Sequence, residues 1–412
     1  MKNENGVIER FLRYVKIDTQ SLEEFSENVP STEKQRELAK LLYSELNELG
    51  ASDVRYDEVH SYVYAVIPSN TDKEIPAVGF IAHMDTSEAV SGANVNPRII
   101  ENYDGADIIL NEDKNIVTRV SDFPMLKDCK GKSLIVTDGN TLLGGDDKAG
   151  VAEIMAMAEH FLTHPEIKHG KICIGFTPDE EVGNGVEFFD IEGFGADFAY
   201  TVDGGELGEL NYECFNAAGA RLTVTGKSVH PGYAKNVMRN AIKLVYEFGA
   251  SLPNQCPENT EGYEGFFHIT DIKGDVENAV ADFIIRDHSR ELFEERKRIF
   301  LNCAEELNKK YGEKIFSVQM KDSYNNMREM IEQKMFIVDY AKEAMEEVGV
   351  VPKIAPIRGG TDGARLSFDG LLCPNICTGS EGHHGRNEFA VIEDMEKIVQ
   401  ILIKLVDITA GK

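Results

Sequence analysis

Four apolar runs, each leading to a side chain able to hold a metal, constrain this chain more than any other feature. Pro76–Thr86 (PAVGFIAHMDT) ends in His83 and Asp85, and Gly170–Gly183 (GKICIGFTPDEEVG) in Asp179, Glu180 and Glu181. Ala196–Gly205 (ADFAYTVDGG) ends in Asp203. Ser133–Thr137 leads into Thr141–Gly150 (TLLGGDDKAG), with Asp146 and Asp147. Beyond it, Val151, Ile154, Met155, Ala158 and Leu162 repeat at helical spacing, so Asp146 is expected at a strand-to-helix crossing. Strands alternating with helices in this way predict a largely parallel sheet. Open sheets of that kind bind ligands beyond the carboxyl ends of their strands. One Asp before a helix reads first as an N-cap, and one acidic trio as a solvated loop. Four strand ends carrying acids, with a histidine among them, are hard to obtain from a solvated rim.

The rest of the chain frames these runs. Val7, Ile8, Phe11, Leu12 and Val15 form one face of an opening helix. Thr32 and Gln35 have capping-box spacing, Leu38, Leu41, Leu42, Leu46 and Leu49 follow on one face, and Gly50 is the stop. Val54–Ile67 reads as a strand pair, and the polar, aperiodic Asn94–Lys130 as a surface hairpin insertion. Near Cys214 the texture changes. Strand Ala220–Thr225, helix Lys235–Ser251, strands Gly265–Lys273 and Asn278–Arg286, helix Leu292–Tyr311 and strand Lys314–Lys321 follow in the order of a split βαβ sandwich. The expected division is a catalytic domain in two parts, 1–213 and 327–412, interrupted by an inserted domain at 214–326.

A formal net charge of −28 argues against nucleic acid and anionic membranes as partners. No apolar run reaches the ~18 residues of a membrane span, and Met1–Ile8 lacks a signal-peptide core, so a cytoplasmic location is expected. The seven cysteines are odd in number and scattered, which fits reduced, packed thiols.

Two residues apart on a strand, His83 and Asp85 point to the same side. That suits an imidazole ligand with a carboxylate behind it fixing its tautomer. Glu180 and Glu181 are adjacent, so one can bind metal while the other stays free as a base. Asp203 precedes Gly204 and Gly205 and reads equally as a turn residue. His384 stands in a glycine-rich loop, GSEGHHGRNE (Gly379–Glu388). Two histidines and three carboxylates suit zinc, with manganese or cobalt as alternatives. Two dications would bring four positive charges. Asp146, Glu181 and Asp203 supply three negative charges and a bridging hydroxide the fourth, giving a neutral site that can be buried.

Taken together, HMDT (His83–Thr86), DDKAG (Asp146–Gly150), FTPDEEVG (Phe176–Gly183), TVDGG (Thr201–Gly205), VHPG (Val229–Gly232), IIRD (Ile284–Asp287), NMRE (Asn326–Glu329), RGGTDGARLSF (Arg358–Phe368) and the histidine loop at His384 resemble the M20 metallopeptidase family over nearly the whole chain. The resemblance implies an α/β fold: a mixed, mostly parallel sheet flanked by helices, of zinc-exopeptidase type, with an inserted ferredoxin-like α+β lid. It implies an aminopeptidase that cuts tripeptides with two Zn2+ per chain, Co2+ or Mn2+ being possible substitutes. Asp146 would bridge the metals, with His83 and Asp203 completing one site and Glu181 and His384 the other. Glu180 would be the general base and Asp85 the partner of His83. His230, Arg286, Asn326 and Arg358 would contact substrate. His384 is preferred to His383 because it precedes Gly385 and lies four residues before Glu388. Gly145, where the family usually has Ala, reads as a harmless change. The partners implied are short peptide substrates, and the enzyme itself is expected as a monomer or a homodimer. Asp179, Asp362 and Glu388 are the candidates for the substrate's ammonium. The rival readings are another M20-type amide hydrolase (dipeptidase, carboxypeptidase or deacylase) and a silent binding protein on the same fold. The intact Glu180 argues against the silent one.

Overall fold

A computed structural model describes residues 6–411. The first five residues, on which the expectation of a leaderless start partly rests, and Lys412 lie outside the described residues. The chain forms two compact units. The first contains the chain up to Tyr212, Glu329–Ala355 and the chain from Thr361; the second contains Glu213–Arg328 and Pro356–Gly360.

The first unit is built on an eight-stranded sheet. Its order is Ser52–Tyr56, Val63–Ile67, Ile172–Thr177, Val78–His83, Phe198–Gly204, Asn375–Cys377, Glu209–Asn211, Lys353–Ile354. The four central strands, Ile172–Thr177 through Asn375–Cys377, pair parallel to one another. Antiparallel pairs appear only toward the edges. Every residue of Val78–His83 and of Ile172–Thr177 is buried. This explains why these strands read as unbroken apolar runs: both faces are covered. Helix Gly145–Thr163 packs on Val78–His83 and Phe198–Gly204, and helices Val7–Tyr14 and Ile392–Gly411 pack on that helix. Tyr62, Tyr64, Phe189, Phe194 and Leu366 belong to a separate core cluster with Ile81 and Ala199 from these strands.

Two local expectations are corrected. Helix Gln35–Leu49 ends at Gly50 with φ +87°, but it has no capping box. The Gln35 amide instead donates to Asp179 Oδ1 at 2.6 Å. A buried carboxylate needs donors more than a helix end open to water does. The 94–130 stretch is more than a surface hairpin. Ile108–Asn111 does pair with Ile116–Thr118, but Arg98–Ile100 joins Leu134–Val136, and Tyr103, Ile108, Leu110, Leu126 and Cys129 bury with Phe389 and Val391. Its few apolar residues find distant partners, which no local periodicity can display.

The second unit is a four-stranded antiparallel sheet in the order Phe266–Gly274, Asn278–Asp287, Asn216–Thr225, Phe316–Tyr324. Helices Ala241–Ser251 and Arg290–Tyr311 share its core, through Leu244, Val245, Phe248, Phe293, Phe300 and Leu307. The first helix starts at Ala241 and not at Lys235, because the Asn240 side chain accepts the Lys243 N–H and caps it there. No helix among the described residues is long and apolar enough to cross a membrane.

Candidate metal centre

Parallel pairing puts the carboxyl ends of the central strands on one side of the first unit's sheet, and the expected ligands gather there. His83 closes its strand, Asp203 lies at the end of Phe198–Gly204, and Glu180 and Glu181 form the 3-10 turn after Ile172–Thr177. Two groups of ligand atoms form, His83–Asp146–Asp203 and Asp146–Glu181–His384, each with its atoms within 4.8 Å of one another. Asp146 is common to both. His83 Nε2 lies 2.9 Å from Asp146 Oδ1 and 3.4 Å from Asp203 Oδ1. His384 Nε2 lies 3.0 Å from Glu181 Oε2 and 3.2 Å from Asp146 Oδ2. His383 approaches the same Asp146 oxygen through Nδ1 at 3.4 Å. Its Nε2 and Glu181 Oε1 are buried without a hydrogen-bond partner.

Asp146 is not an N-cap. Its φ/ψ of −84°/102° is non-helical, and Gly144 caps the helix with no side-chain bond. Glu388 holds this loop instead. One carboxylate oxygen accepts the N–H groups of Leu143 and Gly144 at 2.8 and 2.7 Å, and the other accepts that of Asp146 at 3.0 Å. Gly145 leaves room that an alanine would take from its neighbours. A Cβ would overlap Ser380 Oγ and come within 3.2 Å of Glu388 Oε1. The glycine therefore leaves room for the Ser380 hydroxyl where it stands.

Asp85 organises two elements at once. Its backbone carbonyl lies 3.1 Å and its carboxylate 3.3 Å from His83 Nδ1, which turns Nε2 toward Asp146 and Asp203. The same carboxylate accepts the N–H groups of Glu180 and Glu181 at 3.0 and 3.2 Å. The adjacent Asp147, which the motif carried without a role, is wholly buried; it accepts the N–H groups of His83 and Gly150 at 3.2 Å each. Asp179 accepts from Ser31 N–H and Oγ–H and from Gln35. Ser31 and Gln35 could not be found from the site motifs, because they are some 145 residues away in sequence.

The electrostatics follow from crowding acids in a dry place. Burial pushes Glu180 well above the usual carboxyl range, reinforced by Asp203, Asp362 and Glu181. Burial and Asp146 push Glu181 up to about 7. Burial works against the His83 charge, but Asp203, Asp146 and Asp85 outweigh it and raise the imidazole well above its ordinary value. Hydrogen bonds to Asp146 and Glu181 raise His384 to about 11. Asp146 itself is held well below the usual range, because the three histidines His383, His384 and His83 overcome its burial. A groove of about 470 Å3 bordered by Val7, Ala156, His160 and Ile403 contains none of these groups. Convergent chemistry locates the centre better than room does.

Relatives decide the family. The chain is 56% identical over 407 residues to peptidase T of Clostridium acetobutylicum, covering 98% of this chain and 99% of that one. It belongs to the peptidase T family. Residues 212–314 match a peptidase dimerisation domain. The solved aminopeptidase PepT of Bacillus cereus shares the fold with a TM-score of 0.78 at 22% identity, covering 100% of this chain and 99% of that one. The YXEP protein of Bacillus subtilis, described as a dinuclear metal-binding peptidase from the M20 family, has a TM-score of 0.66 at 14% identity over 98% of each chain. As a peptidase T relative, the chain is an aminopeptidase of M20 fold, with a mixed, mostly parallel sheet and a dimerisation-type second unit.

The four residues expected at substrate lie in the second unit of this peptidase T relative. His230 is exposed, its Nδ1 accepting the Gly232 N–H. The half-buried Arg286 lies 5.9 Å from the ring centres of Phe266 and Tyr324 and donates to the Arg358 carbonyl; its Nε has no partner. Arg358 donates to the carbonyls of Gly262 and Glu264 and to Thr260. The buried Asn326 bonds Cys214, Arg328 and His288. Arg286 therefore keeps free donor capacity, whereas Arg358 and Asn326 hold their own unit's loops.

Proposed function

We propose that this chain is a two-metal aminopeptidase that removes the first residue of tripeptides. The observation that carries the reading is the pair of ligand groups hinged on Asp146. The donor set fits divalent zinc: two imidazoles, three carboxylates and an orphaned buried oxygen on Glu181. His83 and Asp203 would hold one ion, Glu181 and His384 the other, and Asp146 both. Bound zinc supplies Lewis acidity that activates water and polarises the scissile carbonyl.

The chain's own residues do the rest. Glu180, next to a ligand and with its carboxylate unused as one, takes the water's proton and returns it to the leaving amine. Asp85 keeps that turn and His83 in register through its bonds to both. Arg286 is assigned the peptide's C-terminal carboxylate, for which the donors it keeps beside its bond to Arg358 are suited. His230 is assigned the developing oxyanion. Asn326 and Arg358 are assigned the positioning of the loops around Arg286. Short peptides are the proposed partners and the cytoplasm the proposed location. The dimerisation-domain match makes a homodimer the first oligomeric state to test.

Elemental analysis of active enzyme is expected to find two divalent ions per chain. Glu180→Gln should keep both and lose about 100- to 10,000-fold in kcat. Asp146→Asn should lose metal as well. Full activity at one ion per chain, or more than a tenth of wild-type turnover in Glu180→Gln, sinks the reading. A tripeptide with an amidated C-terminus should be a poor substrate for wild type, and Arg286→Ala should no longer distinguish it from the free acid.

A further inference from the structure

An enzyme that cuts the first peptide bond must place the substrate's ammonium nitrogen about 2.5 Å from the reacting carbonyl carbon, since only Cα separates them. The acid that receives the ammonium must therefore stand beside the metal ligands and keep an oxygen open. Most acids there do not. Asp179 has both oxygens engaged by Ser31 and Gln35. Glu388 has both on the backbone of the 143–146 loop. Asp147 has both on His83 and Gly150, and Asp85 both on the glutamate turn. Glu381 stands on the edge strand of a separate four-stranded sheet, paired with Phe389, and not at the end of a central strand. Glu180 must stay free to move a proton.

Asp362 differs. It is the first residue of helix Asp362–Phe368 and is buried, with Thr361 capping the helix before it. Thr177 Oγ1, at the end of the central strand, donates to Asp362 Oδ2 at 2.9 Å and so orients the carboxylate. The other oxygen has no hydrogen-bond partner among the described residues. Gly185 makes room for the group: a Cβ there would overlap both carboxylate oxygens. Thr177 is the sheet partner of His83, so the hydroxyl that holds Asp362 stands beside the first ligand of the candidate centre.

We propose that Asp362 receives the α-ammonium of the peptide's first residue and so makes the enzyme an aminopeptidase in preference to an acyl-peptide hydrolase. The proposal rests on the aminopeptidase reading above and names its specificity residue. A substrate without the ammonium would leave this buried carboxylate unpaired, which a polar site rejects strongly.

The test compares a free tripeptide with its des-amino analogue, in which hydrogen replaces the ammonium, using metal-loaded enzyme. Wild type should prefer the free tripeptide. Asp362→Asn should lose at least tenfold in kcat/KM on it, mainly through KM, and change little on the analogue, with metal content unchanged. Thr177→Val, which removes only the orienting hydroxyl, should lose severalfold on the free tripeptide alone, and it serves if Asp362→Asn does not fold. Equal losses on both substrates, or an unchanged preference in a folded, metal-loaded variant, overturn the assignment. If wild type instead cleaves the analogue and not the free tripeptide, the aminopeptidase reading itself falls and takes the assignment with it.

Discussion

The two sheets of this molecule handle charge in opposite ways. In the first unit, Val78–His83 and Ile172–Thr177 are buried along their whole length, and polar groups are pushed to the strand ends. In the second, Asn278–Asp287 alternates between buried and more open positions, and its outward Asp282 pairs with Arg221 of the neighbouring strand at 2.7 Å. A sheet covered on both faces concentrates its charges at one rim. There, burial keeps water from screening them and their protonation moves far from ordinary values. A sheet covered on one face spreads its charges, and water screens each of them.

Phe80→Ala empties the middle of the fully buried sheet, where Phe80 has no exposure. It should cost about 3–5 kcal/mol, read as a lower denaturant midpoint. Glu388→Gln replaces one of the accepting oxygens with a donor facing backbone N–H groups. Roughly 1–3 kcal/mol should be lost, and metal affinity should drop about 10- to 100-fold, as for other groups that support ligands from behind.

The acid cluster also predicts a pH trend for metal-free protein. Burial first and Asp146 second push Glu181 up to about 7, and Asp146 and Glu181 raise His384 to about 11. Both folded values lie above the unfolded ones of about 4.3 and 6.5. The contribution of Glu181 is therefore complete below its unfolded value and is lost as pH rises through about 7; that of His384 is lost through about 11. The melting temperature of chelator-treated enzyme should fall from pH 5 to pH 9. A rise would show that the cluster does not dominate. Last, Arg221→Ala on the open sheet should leave melting temperature and turnover within scatter, because an exposed pair contributes little. A clear loss would mean that face is covered in the working enzyme.

Some of this was readable from the sequence because it is encoded locally. Apolar runs bounded by acids announce covered parallel strands, and alternation announces a sheet with one open face. The β-α-β-β-α-β order of the second unit and the carboxylates at the strand ends needed only that much. What the sequence could not show is which partner each polar atom takes. Gln35 stands where a capping box is expected, yet its amide goes to Asp179; Gly145 looks neutral until Ser380 is seen beside it. Asp179, Glu388 and Asp362 are equal candidates on a motif map. Tertiary structure separates them, because a carboxylate has two oxygens and the fold fills both in the first two and only one in the third. Hydrogen bonds between residues more than a hundred positions apart obey geometry that only the packed chain supplies.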